Sequence, residues 1–191
     1  TFSASPMGQR LSMMSFSDFD AQKAREFMDK NNDGKCDACG MPIDQCIAGG
    51  MMQCSMDPKA TLGVLGSQHI HADWKIYING QALDLTAYSH MQRMREKQSV
   101  SSFIHVDSGA PAPEKTGDVL HMHATGIPLS MFFESTGITF DNKKLKVFVN
   151  SKEKKESEKY VFNDLDKILI TDGKGNAQEQ LNSITSFAGE H

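Results

Sequence analysis

His69-Ile70-His71 and His121-Met122-His123 each set two imidazoles one residue apart, and together they use four of the chain's seven histidines. Imidazole nitrogen is a ligand for Zn(II), Cu(II), Fe and Ni. In a strand, residues i and i+2 point to one side, so an H-x-H pair on a strand aims both rings the same way. A further strand-like run, Phe103 to Asp107, puts His105 and Asp107 in one phase. Asp107 or Asp73 could then complete a coordination sphere as a carboxylate. The candidate metal ligands are therefore His69, His71, His105, Asp107, His121 and His123. A single surface histidine is ordinarily just solvated, and one H-x-H pair carries little. Five histidines in one phase on neighbouring strands carry more, because cross-strand neighbours lie about 5 Å apart at Cβ. His90 reads as solvent-facing, and the terminal His191 has no expected role.

The second reactive set is the four cysteines, Cys36, Cys39, Cys46 and Cys54, spaced C-x2-C-x6-C-x7-C. They could form a four-thiolate zinc or iron–sulfur site, or two disulfides in one of three pairings; for an exported chain, disulfides are the favoured expectation. Haem attachment is excluded, since Gly40 and not histidine follows Cys39. Met41 adds a soft thioether. Seven of the chain's twelve methionines fall at or before Met52, in polar-flanked clusters that suit Cu(I) better than a core. Overlapping the first cysteines is an EF-hand-like loop. Asp29, Asn31 and Asp33 occupy its first, third and fifth positions, Gly34 its sharp turn, the Lys35 carbonyl its seventh and Asp37 its ninth. Calcium is the expected ligand, with a plain Asn/Asp/Gly turn as the alternative. The twelfth position is Gly40 where a bidentate glutamate belongs.

These residues need elements to position them. Along Ile70 to Ile78 the even positions are all apolar and the odd ones carry the histidines, Asp73, Lys75 and Tyr77, which is a strand with one apolar face. Asn79-Gly80 marks a hairpin turn. Ser101–Gly109 and Gly117–Thr125 read as a second hairpin, Pro128–Gly137 as a helix, and KLKVFVN and DKILITDG as two more strands. AQEQLNSITSF reads as a short amphipathic helix, and SKEKKESEK as a solvated hairpin tip. Phe19, Phe27 and Met28 mark one side of an N-terminal helix. The expected fold is α+β, a β-grasp-like small antiparallel or mixed sheet with one covering helix. An N-terminal Cys/Met-rich appendage would occupy residues 1–60 and the β-grasp-like domain residues 66–191, with the boundary inside 57–68.

Composition narrows the function. Apolar residues make up 39% of the 191, which favours one core over two. A net charge of −4 and a pI near 5.9 argue against nucleic acid as a partner. No run approaches the roughly 18 apolar residues of a membrane span. The start Thr-Phe-Ser-Ala-Ser-Pro fits a mature chain after signal cleavage, so an extracytoplasmic location is expected. No Ser-His-Asp order, phosphate loop or dinucleotide fingerprint is present in the sequence, and no catalytic residue is assigned.

From His69 to about Ile184, the pattern H-x-H-A-D-x-x-x-Y-I-N-G, then G-D-V-L-H-x-H-A-T-G, L-x-x-F-F-x-S-x-G-I and D-x-I-L-I resembles a group of exported or membrane-tethered proteins of ammonia-oxidising archaea and small-genome bacteria. The resemblance implies that His69, His71, Asp73, His105, His121 and His123 belong to the domain's pattern, and it implies no established activity. Relatives tend to read I-H-V-H where this chain has Ile104-His105-Val106-Asp107, a carboxylate in place of a histidine. Cys36 to Met41, C-x-x-C-G-M, is similar to the copper-binding stretch of accessory lipoproteins that serve nitrous oxide reductase. The expected function is an exported metal-binding protein, copper first and zinc second, that captures or delivers the ion. Its partners would be metal ions, a second copy of itself or a partner metalloprotein. The alternative is a structural subunit of an extracellular filament or complex with metal- or calcium-stabilised contacts.

Overall fold

A computed structural model of the chain describes residues 21–85, 103–108, 116–136 and 144–190. The expectations for Phe19, His90, His191 and the start of the chain lie outside these. Strands β1 (Ile70–Ile78), β2 (Gln81–Ala82), β3 (Ile104–Ser108), β4 (Thr116–Met122), β5 (Lys146–Val149), β6 (Lys152–Lys154) and β7 (Lys167–Thr171) form one mixed sheet. Its order is β3-β4-β1-β7-β5-β6, with β2 paired to β1 off this path. Four α-helices accompany it among the described residues: α1 (Ala21–Met28), α2 (Ile43–Ala48), α3 (Leu129–Thr136) and α4 (Ala177–Asn182).

The hydrophobic alternation becomes a two-sided sheet. Ile70, Ala72, Trp74 and Ile76 of β1, with Ile104, Val106, Leu120 and Met122 from the neighbouring strands, are buried beneath α3. Trp74 is the centre of that face. Its ring meets Phe132 edge-on at 4.8 Å, a favoured aromatic geometry, and its Nε1–H donates to the Gly117 carbonyl at 2.8 Å. Gly117 takes φ +96°, and a Cβ there would stand 2.6 Å from the Leu85 Cβ, so only glycine lets that carbonyl reach the indole.

Turn chemistry sets the register. Asn79 and Gly80 both have positive φ (54° and 76°), the left-handed pair of a two-residue hairpin, although the returning strand β2 is only two residues long. Asn150 and Ser151 repeat the device between β5 and β6 (φ 50° and 67°), so the charged run is an exposed hairpin as far as Lys154, while Ser157–Lys159 form a 3-10 turn in which Ser157 is buried. β1 lies antiparallel to β4 and parallel to β7, and the parallel pairing needs the long crossover that carries α3. α4 is capped by Asn176, whose side chain accepts from the Gln178 and Glu179 amides.

The N-terminal segment joins the same core: Ala24, Met28, Cys36, Ile43, Cys46, Met52, Cys54 and Leu62 belong to the buried cluster that holds the sheet's apolar face. Gln53 Oε1 accepts from the Thr61 and Leu62 amides, and Gly63 and Gly66 donate to the Thr125 and His123 carbonyls at the exit of β4.

Candidate metal centres

Sheet register, not sequence proximity, assembles the histidines. His71 and His105 are each paired with His121, so these three side chains stand in one row across β1, β4 and β3. His69 and His123 form a second row at the strand ends. There the His123 amide donates to the Phe103 carbonyl, continuing the β3–β4 ladder one residue further. Ring nitrogens of His69, His71 and His121 gather within 4.8 Å of one another, and so do those of His105, His121 and His123. His121 is common to both triplets. The His69 and His71 Nε2 atoms approach to 3.1 Å, and His105 lies nearly parallel to His123 at 5.1 Å between ring centres.

Phase reasoning places the rings opposite the Trp74 face, but this second side of the sheet is covered too. His71, His105 and His121 are only 8%, 3% and 6% exposed, His123 is half-buried, and His69 alone is open to solvent. Burial, reinforced by the nearby His69 and His71 charges, holds His123 below the ordinary histidine range. Its Nε2 is shielded from water with no hydrogen-bond partner among the described residues. A buried polar atom without a partner costs about 1–3 kcal/mol, and a metal ion would remove that cost.

The carboxylates divide. Asp73, offered by the sequence as a ligand, is instead an anchor. It is buried, and its Oδ1 accepts from Thr185 Oγ1 and from the Phe187 and Ala188 amides, docking the C-terminal segment onto the histidine side of β1. Asp107 pairs with Val119 beside a register shift in β3, and its side chain lies outside the described residues. Sequence reasoning missed a second structural carboxylate. Asp166, buried, accepts from the Tyr160 hydroxyl at 2.6 Å, the Asn150 amide group and the Asn163 main chain, and burial with the Asp166 charge pushes the Tyr160 hydroxyl up to about 12.

The cysteines converge as well. All four are thiols and none is disulfide-bonded, so the disulfide expectation is not met. The Cys39 and Cys46 sulfurs are 3.8 Å apart, those of Cys36, Cys39 and Cys46 lie within 4.8 Å of one another, and Cys54, outside that triplet, is near enough to Cys36 and Cys39 for their side chains to raise its pKa. The Met41 amide, donating to Cys39 Sγ, lowers that thiol's pKa. Burial pushes Cys46 up to about 12 and Cys54 up to about 11, the neighbouring thiols adding to the rise in both. Met41 serves through its main chain: its side chain is 48% exposed, while its carbonyl accepts from the Cys36 amide. A narrow cleft lined in part by Phe27, Met28, Asp37 and Asp57 opens beside Cys36 and Cys54.

The calcium-like loop is a turn held by its own side chains. Asp29 Oδ1 and Oδ2 accept from the Asp33 and Gly34 amides, Asn31 Oδ1 accepts from the Asp33 amide, Asp33 Oδ1 accepts from the Lys35 amide, and Asp37 Oδ2 accepts from the Lys30 amide. Among the described residues, the side chains gathered closely enough to share an ion are cysteines and histidines, and the carboxylates of Asp29, Asp33 and Asp37 form no such group. The described residues thus hold Cys and His clusters positioned to bind a metal. No described helix is long and apolar enough to cross a membrane. Compared with known proteins, the chain matches no family model, and neither the curated proteins nor the solved structures hold a significant match.

Proposed function

We propose that the histidine face binds one divalent ion, copper first and zinc second, and that the protein captures or hands on that ion outside the cytoplasm. The observation that carries this reading is the convergence of five imidazoles from β1, β3 and β4 into two triplets that share His121. Imidazole is a borderline ligand suited to both ions, and Cu(II) stands above Zn(II) in the divalent affinity order. Three imidazoles leave a fourth position open. An open position is what capture and hand-over need, because an incoming ligand can bind before a histidine lets go. His69, the exposed member, is the natural entry side.

The fold reading is β-grasp. It is supported by the order β4-β1-β7-β5-β6, by the parallel pairing of β1 with β7, and by α3 between β4 and β5. Export and kinship with the archaeal and small-genome bacterial group rest on the sequence pattern from His69 to about Ile184.

The test is electron paramagnetic resonance of the protein loaded with one equivalent of Cu(II). Nitrogen hyperfine structure from imidazole is expected in the parent and its loss in the His71→Ala/His121→Ala double variant. A parent spectrum showing oxygen ligation only would end the assignment.

A further inference from the structure

We infer that Cys36, Cys39, Cys46 and Cys54 form a closed four-thiolate site for a single zinc ion, which holds the N-terminal segment in shape and is distinct in kind from the histidine face.

The sulfur spacing carries the argument. With Zn–S bonds of about 2.3 Å, the edge of a ZnS4 tetrahedron is about 3.8 Å, and the Cys39 and Cys46 sulfurs are 3.8 Å apart. A disulfide would bring two sulfurs to about 2.05 Å. An iron–sulfur cluster needs its iron and sulfide atoms between the cysteines, and three sulfurs within 4.8 Å of one another leave no room for it. A tetrahedral S4 set selects a single zinc or iron ion.

The local backbone fits the same purpose. Cys36 and Cys39 flank a turn closed by the Gly40 amide donating to the Cys36 carbonyl at 2.7 Å, with Gly40 at φ +71°. The Met41 amide then points at Cys39 Sγ, as it should if that sulfur carries negative charge. Cys46 arrives from the buried side of α2, and Cys54 from the loop that follows. The four thiols thus come from three local pieces, a turn, a short helix and a loop, with Cys36, Cys39 and Cys46 already gathered and Cys54 beside them.

Those pieces carry little regular structure of their own, although Ala24, Met28, Ile43 and Met52 pack into the shared core. α1 and α2 are eight and six residues long, and the one described pairing outside the main sheet is the bridge between Lys35 and Pro42. Helices this short are marginal without tertiary support. Four ligands from one short segment, with no position left for substrate, match a structural zinc site in which metal binding and folding are one event.

The test uses the full chain, purified under reducing conditions and loaded with Co(II) or Zn(II) alone. Thiolate-to-cobalt charge-transfer absorption is expected, together with about one zinc per chain that persists in the His71→Ala/His121→Ala variant, as a four-thiolate site requires. Cys46→Ser should abolish the absorption and the persistent zinc. Should Cys46→Ser fail to fold, Cys39→His keeps a ligand and should retain the ion with a shifted cobalt spectrum. Thiolate absorption that survives Cys46→Ser, iron in place of zinc in the native protein, or cysteines recovered as disulfides would each overturn the assignment.

Discussion

The thiols and the imidazoles gather by opposite means. Cys36 to Cys54 is a short stretch in which turn, helix and loop gather the sulfurs of Cys36, Cys39 and Cys46, with Cys54 beside them, and packing into the core rather than a sheet ladder supports the group. The histidines come from strands far apart in sequence, and main-chain ladders hold β1, β3 and β4 whether or not an ion is present. The comparison teaches where the free energy of binding goes. At the histidine face it goes into affinity, since the donors are already placed. At the thiol site much of it goes into ordering the chain.

Chelation would test that contrast most severely. Stripping metal under reducing conditions is expected to lower amide-exchange protection across residues 36–62 by about a thousandfold or more, as for small domains whose folding free energy is largely metal binding. β1, β4 and β7 should keep theirs, and the readout is hydrogen–deuterium exchange by mass spectrometry. Equal loss in both regions would mean that the sheet also depends on metal and would break the comparison.

Within the histidine face, membership of the triplets ranks the residues. His121→Ala removes a ligand from both triplets and should lower Cu(II) or Zn(II) affinity about 100-fold or more, since even the partners that merely orient metal ligands are worth 10–100-fold. His69→Ala removes an exposed ligand from one triplet and should cost about tenfold on the same scale. Titration calorimetry, with circular dichroism to verify the fold, checks both. Equal effects would mean that the ion sits in the His69 triplet alone.

A third variant separates anchor from ligand. Asp73→Ala leaves the buried Ala188 amide and its neighbours without their acceptor and should destabilise the protein by about 2 kcal/mol in urea unfolding. Metal stoichiometry should not change. A stable variant that loses its ion would restore Asp73 to the coordination sphere.

The histidine face was legible in the sequence because period two is local: one phase along His69–Tyr77, repeated around His105 and His121, fixed which side the rings share. The turn at Asn79-Gly80 and the helix after Pro128 were equally local. What the sequence could not carry was long-range. The row His71-His121-His105 depends on the register of three strands. The role of Asp73 depends on Thr185 and Phe187, more than a hundred residues away, arriving on the same side of β1. The cysteine spacing was compatible with both disulfides and a thiolate site, and the choice lies in sulfur positions that no spacing encodes. The calcium-like loop was read by ligand position, yet Asp29 satisfies main-chain amides through both oxygens, which is what a short polar side chain does in any tight turn.

The smallest effect concerns pH, and it tests whether the imidazoles are preformed donors. His123 is held below its ordinary value of 6.5, chiefly by burial and further by the charges of His69 and His71. The metal-free folded state therefore takes up this proton at lower pH than the unfolded chain does. Its contribution to stability is full above about 6.5 and is lost as pH falls through that value toward the lowered folded one, below which no further loss accrues. Metal acts in the same direction, since only the neutral ring coordinates. The metal-free protein should thus show a urea midpoint that drops between pH 7.5 and 5.5, and His123→Gln should show a smaller drop because it carries no titrating ring. With Zn(II) present, the parent's drop should shift to lower pH while that of His123→Gln shifts less. A parent and variant with superimposable pH profiles would mean that His123 is solvated in the folded state, and the buried donor would have to be sought among the other four rings.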